Sequence, residues 1–484
     1  MIWTIVTIAL FLAHVFAISV LILVERRQPA ATLAWLLTLV FLPIVGLVVY
    51  FLIGAPRFAR TKRKMALAAR RIDAVRKRQE VERKLAASGG EGEAVEPRTE
   101  SLLRLGAALS STPPSAGNVA RLLENAAATY RAMSRAIEAA RHHVHVQFYI
   151  IRPDEAGQRL RDRLVAAARR GVQVRVLVDA VGSAQLPREF WKELIAAGGK
   201  AAAFRPVLRA FTRFRRRDRI DFRNHRKIVV VDGTVGFTGG INIGREYLGL
   251  DPEIKEWRDS HVELDGPAVL ALQCAFAEDW FTTTGEEVDD DDHYPEPRCH
   301  EHGAVVQVVD SGPDRDWSSI EAMYAFVIGA ARKRVWITNP YFVPSSTIEN
   351  ALVSAALRGV DVRILVPKRS DHLVVQLASR SYFPPLLEAG ARIYRYARGF
   401  VHAKTMVVDD WVGTVGSANM DMRSFRLNFE LNPFVIDRGF ATTLARSFAD
   451  DLRGATEYTA DDVARQTVIA RLLTGAARLM SPLL

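Results

Sequence analysis

The chain has 484 residues and a formal net charge of +11, with 49% apolar and 25% charged residues. These fractions are ordinary for a globular protein and exclude collagen-like, coiled-coil and disordered chains. The length predicts about three domains, or one duplicated unit with an added segment. The positive charge favours an anionic partner such as nucleic acid, anionic lipid or a phosphorylated substrate. Two cysteines are too few for a disulfide framework or a four-thiolate zinc site.

Two uncharged apolar runs open the chain. The first, residues 2–24, is long enough to cross a bilayer, for which about 20 apolar residues suffice. The second, residues 30–56, contains Pro43 and Gly46. A signal peptide is disfavoured because a basic leader and a small-residue cleavage site are not evident. We expect a two-segment transmembrane hairpin over residues 1–56, with a re-entrant hairpin as the alternative because the second run can bend.

A basic segment follows the expected hairpin. Residues 57–84 contain twelve Lys or Arg against three acidic residues, whereas the loop of the hairpin has only Arg26 and Arg27. The positive-inside rule therefore places residue 57 onward in the cytoplasm. We interpret residues 57–100 as a basic juxtamembrane linker, and we expect its basic run at 57–84 to bind anionic headgroups. The alternative is a solvated basic helix that only fixes the topology.

The remainder of the chain is an internal duplication. Residues 170–178 (RGVQVRVLV) and 358–366 (RGVDVRILV) are identical at seven of nine positions. Each follows an Ala-rich helical pattern and reads as a buried strand, and further strands are expected at residues 144–151 and 335–338. This order predicts an α/β fold, with duplicated domains of mixed sheets flanked by helices. We expect domains at residues 101–285 and 301–484, joined by an acidic linker at 286–300.

A paired motif lies inside this duplication, within residues 219–246 and 396–423. Residues 224–242 and 401–419 match at nine of nineteen positions and share the pattern His-x-Lys-x4-Asp-x6-Gly-(Gly/Ser)-x-Asn. The first copy has His225, Lys227, Asp232, Gly240 and Asn242, and the second has His402, Lys404, Asp409, Ser417 and Asn419. Residues two apart in a strand share a face, so each histidine projects beside its lysine.

Two imidazoles, two ammonium groups and two amides around one cavity suit a phosphodiester. One histidine attacks phosphorus and forms a phosphohistidine, while the other protonates the leaving alkoxide and then deprotonates the incoming hydroxyl. The lysines, the asparagines and the backbone at Gly240 and Ser417 contact the phosphate oxygens. A metal or other cofactor is not needed, because the lysines supply positive charge. Asp259 and Glu430 are candidates for fixing the histidine tautomers.

The paired motif resembles the HKD motif of the phospholipase D superfamily, over residues 120–450. The hairpin and the sequences at 32–42 (TLAWLLTLVFL), 339–344 (NPYFVP) and 481–484 (SPLL) resemble bacterial cardiolipin synthases. This resemblance implies transfer of a phosphatidyl group from one phosphatidylglycerol to another, with release of glycerol, by a multi-pass protein of the bacterial inner membrane. It implies that His225 is the nucleophile and His402 the acid and base. The expected partners are phosphatidylglycerol and anionic membrane lipid.

Three other functions remain as alternatives. A hydrolase or a transferase with another alcohol acceptor would keep the mechanism and change the acceptor. A phosphodiesterase acting on nucleic acid is disfavoured by the apolar segments, so nucleic acid is not an expected partner. A non-catalytic lipid-binding protein is disfavoured by two intact motifs. The basic, Phe-containing stretch at 209–227 leads into the first motif, and we interpret it as an anionic-lipid rim.

Several polar clusters are not expected to bind metal. His142, His143 and His145 enter a strand and read as a strand edge. Residues 286–292 contain six acidic residues in seven positions and read as an exposed loop. Cys299 and its neighbouring histidines have no identifiable fourth ligand. Finally, residues 467–484 read as an apolar helix that either caps the second domain or lies on the membrane.

Overall fold

The computed structural model describes residues 3–5, 11, 16, 20, 29–42, 45–46, 49–50, 96–110, 112–204, 221–250 and 256–481. The contacts divide the chain into two units, one of Met1–Arg60 with Val207–Phe222 and the other of Thr61–Pro206 with Arg223–Leu484. Most of the expected hairpin and of the basic linker lies outside the described residues, as does most of the stretch at 209–227. These interpretations therefore stay predictions.

The first unit contributes helix α1, Pro29–Phe41, which is 13 residues long. Its Leu33, Leu37 and Phe41 side chains are exposed, while Leu39 is buried. Across the part of the chain that the structure describes, no helix has both the length and the apolar character needed to cross a membrane.

The second unit holds both copies of the motif. Helix α2, Pro97–Leu109, comes first. The first half then contains β1 (Ser115–Glu124), α3 (Asn125–Ala139), β2 (His143–Phe148), α4 (Glu155–Arg169), β3 (Gln173–Asp179), α5 (Lys192–Ala196), β4 (Lys200–Phe204), β5 (Ile228–Val231), β6 (Val235–Gly239), β7 (Trp257–Arg258), β8 (Ser260–Asp265) and α6 (Val269–Thr284). Short 3-10 turns lie at Arg188–Trp191, Arg245–Leu248 and Asp291–His293.

The second half repeats this order and adds helices after its last long strand. It contains β9 (Ala304–Ser311), α7 (Ser319–Gly329), β10 (Arg334–Thr338), α8 (Ser346–Leu357), β11 (Asp361–Pro367), α9 (Leu373–Arg380), α10 (Phe383–Glu388), β12 (Arg392–Tyr396), β13 (Phe400–Val401), β14 (Thr405–Val408), β15 (Val412–Val415), α11 (Met422–Arg426), β16 (Glu430–Ile436), α12 (Arg438–Leu452), β17 (Ala455–Tyr458), α13 (Ala460–Ala464) and α14 (Val468–Leu479).

One mixed sheet runs through both halves in the order β17-β12-β11-β10-β14-β15-β16-β9-β1-β8-β6-β5-β2-β3-β4. The antiparallel pair β1–β9 joins the halves, with Ser115 opposite Val306. Outward from this pair, the strand order of one half matches that of the other. Within each half three neighbouring strands are parallel, β2–β3–β4 and β10–β11–β12. The predicted duplicated α/β fold with mixed sheets is therefore confirmed.

The strands that follow the motif histidines lie in the core. Every residue of β5 and of β14 is buried, as expected for apolar strands covered on both faces by helices. Helix α4 turns Leu160 and Leu164 toward the first half, and helix α8 turns Ile348 and Leu352 toward the second. This packing holds the start of β5 and the start of β14 in fixed positions.

Helix α2 lies on the second half, although it precedes the first half in the chain. Its Leu102 is fully buried in the cluster that contains Val309, Ile320 and Met323. The Trp411 indole donates a hydrogen bond to Thr99 Oγ1 at 2.8 Å. Helix α2, which contains residue 101, thus packs on the core of the second half, and the domain bounds stay predictions.

Candidate active site

The backbone before each motif strand pairs with the backbone beside a carboxylate of the other half. The amide of His225 donates to the Phe429 carbonyl at 2.9 Å, and the amide of His402 donates to the Arg258 carbonyl at 2.7 Å. Strands β13 and β7 are parallel in this second contact. Because Glu430 follows Phe429 directly and Asp259 follows Arg258, this pairing brings each carboxylate beside the histidine of the other half.

The two histidines are each held by that carboxylate. His225 Nδ1 lies 3.0 and 3.1 Å from the two oxygens of Glu430. His402 Nδ1 lies 2.7 Å from Asp259 Oδ2. Both carboxylates are fully buried. An imidazole that donates Nδ1–H to a carboxylate has its lone pair on Nε2, which is the atom needed for attack or for proton transfer.

The two lysines lie beneath the imidazoles without solvent exposure. Lys227 Nζ donates to the His225 carbonyl at 2.7 Å, and Lys404 Nζ donates to the His402 carbonyl at 2.5 Å. Lys404 Nζ is also 3.0 Å from His402 Nε2. Burial lowers the pKa of Lys227 well below its usual value and lowers that of Lys404 to about 8, although nearby carboxylates oppose the shift.

Electrostatics join the two halves into one site. Burial lowers the pKa of His225, and the charges of both Lys227 and Lys404 add to this effect against the opposing Glu430. Burial lowers the pKa of His402 to about 4, with Lys404 and Lys227 adding to it. Burial by itself raises the pKa of Glu430, but His225 and Lys227 outweigh it and lower the value. The free site therefore holds neutral imidazoles and ionised carboxylates at neutral pH.

The Gly/Ser position of the motif lies against these carboxylates. Ser417 Oγ donates to Glu430 Oε2 at 2.5 Å and accepts from the Leu431 amide at 2.9 Å. At Gly240 a Cβ atom would lie 2.2 Å from Asp259 Oδ1, so the first copy needs glycine. The two motifs differ here because the carboxylates differ in length. Serine lies against the longer side chain of Glu430, and glycine lies against the shorter side chain of Asp259. Ser417 therefore supports a carboxylate and Gly240 leaves room for one, while contact of these positions with phosphate stays a prediction.

The two asparagines differ in what their side chains bind. Asn242 donates through Nδ2 to the Tyr247 hydroxyl at 3.0 Å and accepts from the Ile150 amide at 3.2 Å. Asn419 Oδ1 is buried and has no hydrogen-bond partner among the described residues. The Asn242 side chain therefore has protein partners at both its oxygen and its nitrogen, and Asn419 is the better candidate for contact with a substrate.

The aspartates of the motifs are not brought to the imidazoles. Asp232 follows β5 and accepts from the amides of Arg141, His142 and His143 at 2.8–2.9 Å. Asp409 follows β14 and accepts from the amides of residues 332–334 and from Arg98 Nη1 at 2.5 Å. Each lies at the opposite end of its strand from the histidine. The sequence grouped them with the catalytic residues; their positions indicate that they anchor strand β2 and strand β10.

Aromatic residues beside the histidines were missed by the sequence reasoning. The Tyr149 ring lies 5.0 Å from the His225 ring, and the Tyr341 ring lies 6.2 Å from the His402 ring. The Trp257 ring lies 5.2 Å from the His402 ring. Tyr149 and Tyr341 each come just after the corresponding strands β2 and β10, and this shared position is the only signal for them in the sequence.

A solved structure resembles this fold. Phosphatidylserine synthase of Haemophilus influenzae aligns with a TM-score of 0.59 at 15% identity, covering 79% of this chain and 100% of that one. At this identity the likeness shows the fold alone.

Sequence matches to family models and to relatives give information about the family, which the fold alone does not show. A model described as "Cardiolipin synthase, PLD-like domain" matches residues 133–280 and 325–452, and one described as "Phospholipase D-nuclease N-terminal" matches residues 11–54. Cardiolipin synthase of Geobacillus kaustophilus is 42% identical over 97% of this chain and 92% of its own length. Cardiolipin synthase 2 of Bacillus anthracis is 40% identical over 98% and 91%.

The fold and the paired histidines define a phospholipase D-like enzyme. The matches narrow the class further, and the chain belongs to the cardiolipin synthase family. Both the predicted family and the predicted enzyme class, a phosphatidyltransferase, are confirmed.

The position of Asp409 leads to a prediction about stability. Burial alone raises its pKa, but the backbone amides and Arg98 lower it below the usual value. A carboxyl with a depressed folded pKa stabilises the fold above its unfolded pKa, and this contribution is lost as pH falls through the folded pKa. Asp409→Asn, which tolerates the positive φ of 54°, should lower the unfolding free energy at neutral pH by about 1.5–3 kcal/mol.

Denaturant unfolding at neutral and acid pH measures this difference, which should shrink in acid. Asp410→Asn is the matched control, because Asp410 forms a half-exposed ion pair with Arg334 and should change stability by about 1 kcal/mol or less. If Asp409→Asn kept the wild-type unfolding free energy but lost turnover, this result would contradict the anchoring role and indicate that Asp409 takes part in the reaction.

Proposed function

We propose that this chain synthesises cardiolipin by transferring a phosphatidyl group from one phosphatidylglycerol to another through a phosphohistidine. The observation that carries this proposal is the reciprocal pairing of two histidines with Glu430 and Asp259, above two buried lysines. This arrangement supplies a nucleophile, an acid–base group and fixed positive charge to one phosphodiester. Membership of the cardiolipin synthase family supports the choice of lipid.

In the first step His225 Nε2 attacks phosphorus. A P–N bond forms, the P–O bond to glycerol breaks, and His402 gives its Nε2 proton to the leaving oxygen. His402 is neutral in the free site, but an anionic phosphodiester close by raises its pKa and favours the protonated form on binding. Lys227 and Lys404 stabilise the charge on the phosphoryl oxygens.

The second step reverses the proton transfer. His402 Nε2 takes the proton from the hydroxyl of a second phosphatidylglycerol, whose oxygen attacks phosphorus as the P–N bond breaks. Transfer to a lipid instead of water requires a site that positions the alcohol and excludes water. The two histidines are 9% and 7% exposed, and Tyr149, Tyr341 and Trp257 line them, which supports this choice of acceptor.

The direct test is to incubate the purified protein with phosphatidylglycerol vesicles without added metal and to identify the products by mass spectrometry. Cardiolipin and free glycerol in equal amounts are the expected products. Phosphatidic acid as the sole lipid product would show that water is the acceptor and contradict the transferase. Cleavage of DNA in a parallel assay would contradict the lipid substrate.

The roles of the histidines can be separated with an activated leaving group. Because p-nitrophenolate leaves without protonation, His402→Asn should still release about one equivalent from a phosphatidyl p-nitrophenyl diester and then stop, with phosphohistidine accumulating. His225→Asn should release none. Rapid-quench counting of nitrophenolate and detection of the acid-labile P–N bond measure this. The reverse pattern would make His402 the nucleophile.

The pKa of Lys404 predicts an alkaline limb in the pH profile. Catalysis needs the protonated lysine, and burial lowers its pKa to about 8. The ratio kcat/KM, which reports groups of the free enzyme, should therefore fall as pH rises through about 8. Lys404→Arg should move this limb upward, because a guanidinium stays protonated. Lys200→Arg, at a half-exposed ion pair with Glu286, is the control. If the alkaline limb of kcat/KM stays at the same pH in Lys404→Arg, the limb reports the titration of another group.

Membrane attachment and a cytoplasmic orientation are part of this proposal. The apolar runs, the basic segment and the N-terminal family match at residues 11–54 support a hairpin in a bacterial inner membrane.

Helix α14 provides a second surface for membrane contact. It packs against α9, buries the small residues Thr474 and Ala477, and leaves its larger apolar residues exposed. These are Val468, Ile469, Leu472, Leu473 and Leu479, next to Leu373 and Val374 of α9.

An exposed apolar face of this kind marks a binding surface, and an amphipathic helix suits the headgroup–acyl boundary of a bilayer. A fluorophore on Leu472→Cys, in a Cys299→Ser background, should be quenched by lipid-borne quenchers in phosphatidylglycerol vesicles. The same fluorophore on Leu357→Cys is the matched control, since the two leucines are 68% and 70% exposed on different helices. Equal quenching at both positions, or none at 472, would contradict membrane contact by α14.

A further inference from the structure

A cluster of histidines lies outside the active site, at the start of β2. His142, His143 and His293 each offer a ring nitrogen, and these three atoms all lie within 4.8 Å of one another. His293 comes from the 3-10 turn in the acidic linker, about 150 positions away along the chain. Their proximity depends on how the linker folds back, so it could not be predicted from the sequence.

The spacing of these nitrogens is close to that of a metal site. His142 Nδ1 and His143 Nδ1 are 2.8 Å apart. Zinc–nitrogen bonds of about 2.0–2.1 Å in a tetrahedral site separate two ligand nitrogens by about 3.3 Å. This value lies between 2.8 Å and the 4.8 Å limit, so the spacing of the three nitrogens is compatible with ligation of one ion.

The cluster also contains buried nitrogens that lack a partner. His143 is fully buried and His293 is 3% exposed. In the described part of the chain, His143 Nε2 and His293 Nδ1 have no hydrogen-bond partner. A buried polar atom without a partner is costly, and a bound ion is one of the explanations for it.

The charges around the cluster include both a carboxylate and an opposing cation. Asp292 Oδ2 lies 4.0 Å from His142 Nε2, outside the group of three nitrogens, and its carboxylate is exposed. Arg175 Nη1 lies 3.4 Å from His293 Nε2 and opposes a cation. Its charge is offset by Glu286, whose Oε1 accepts from Arg175 Nη2 at 2.8 Å. Three imidazoles and one carboxylate are a donor set that divalent zinc accepts.

We propose that His142, His143 and His293, with Asp292, bind one divalent transition-metal ion of the zinc class. The ion would fasten the acidic linker to the turn where Asp232 binds the amides of His142 and His143. This turn lies at the opposite end of β5 from His225, so the role is structural and separate from the phosphodiester chemistry. The site holds the connection between the two halves in place.

The test uses the full untagged chain in detergent, stripped with a chelator and then titrated with Zn²⁺ or Co²⁺ alone. We expect about one ion per chain by elemental analysis, and the intense visible absorption of tetrahedral Co²⁺. Thermal unfolding should shift upward on addition of zinc, since only the folded chain holds the complete site. A wild-type chain that binds no ion would overturn the proposal.

Variants locate the ion. His142→Asn changes a side chain that is 33% exposed, so it should fold and should lose both the Co²⁺ absorption and the zinc-induced shift. Asp292→Asn should weaken binding by about tenfold or more. His302→Asn, whose side chain is 93% exposed in a neighbouring loop, is the control and should bind as the wild type does. Retention of the full Co²⁺ signal by His142→Asn would place the ion elsewhere and overturn the proposal.

Discussion

The active site depends on two buried carboxylates that each cross from one half of the enzyme to the other. Glu430 of the second half holds His225 of the first, and Asp259 of the first half holds His402 of the second. A carboxylate without solvent exposure is stable only when it is paired and hydrogen-bonded. Neither half therefore contains a complete acid–base pair, and the duplication makes one site instead of two.

The same constraint explains the buried positive charges. Lys227 and Lys404 are fully buried, and burial opposes their protonation, while Glu430 and Asp259 favour it. The carboxylates thus have two tasks, because they set the tautomers of the imidazoles and favour the charged form of the lysines against the effect of burial. A phosphodiester that enters this site meets fixed positive charge, which requires little reorganisation as the transition state forms.

Arg226, the residue between His225 and Lys227, strengthens the connection. It is 2% exposed. Its Nη1 lies 3.0 Å from Asp279 of the first half, its Nη2 lies 3.4 Å from Asp310 of the second, and its Nε donates to the Glu430 carbonyl at 3.1 Å. The second motif has Ala403 at this position. The first motif therefore serves catalysis and also connects the two halves through Arg226, whereas the second motif makes no such connection.

The sequence predicted those features that depend on local spacing. His225 with Lys227, and His402 with Lys404, are two apart on strands, so their shared face follows from the period of a strand. The pairing of His225 with Glu430 joins residues 205 positions apart, and nothing local determines which carboxylate serves which histidine. The aspartates share the motif spacing but lie at the far ends of their strands, because spacing along a strand does not show which end meets the substrate.

Two further features depend on contacts between segments that are far apart in the sequence, so they could not be predicted from it. Helix α2 packs on the second half through Leu102, and His293 meets His142 through a folded linker. Tyr149 and Tyr341 do not stand out in the sequence, because single aromatic residues after strands are common in cores. Their repetition at corresponding positions of both halves was the available signal.

The most direct measurement of the central claim is ¹⁵N NMR of the active-site imidazoles in wild type and in Glu430→Gln. The resonances are assigned by loss in His225→Asn and His402→Asn. Wild type should show protonated Nδ1 and unprotonated Nε2 on both rings at neutral pH. Glu430→Gln should shift the His225 resonances and leave those of His402 nearly unchanged. A shift confined to His402 would contradict the reciprocal pairing on which the account of this enzyme depends.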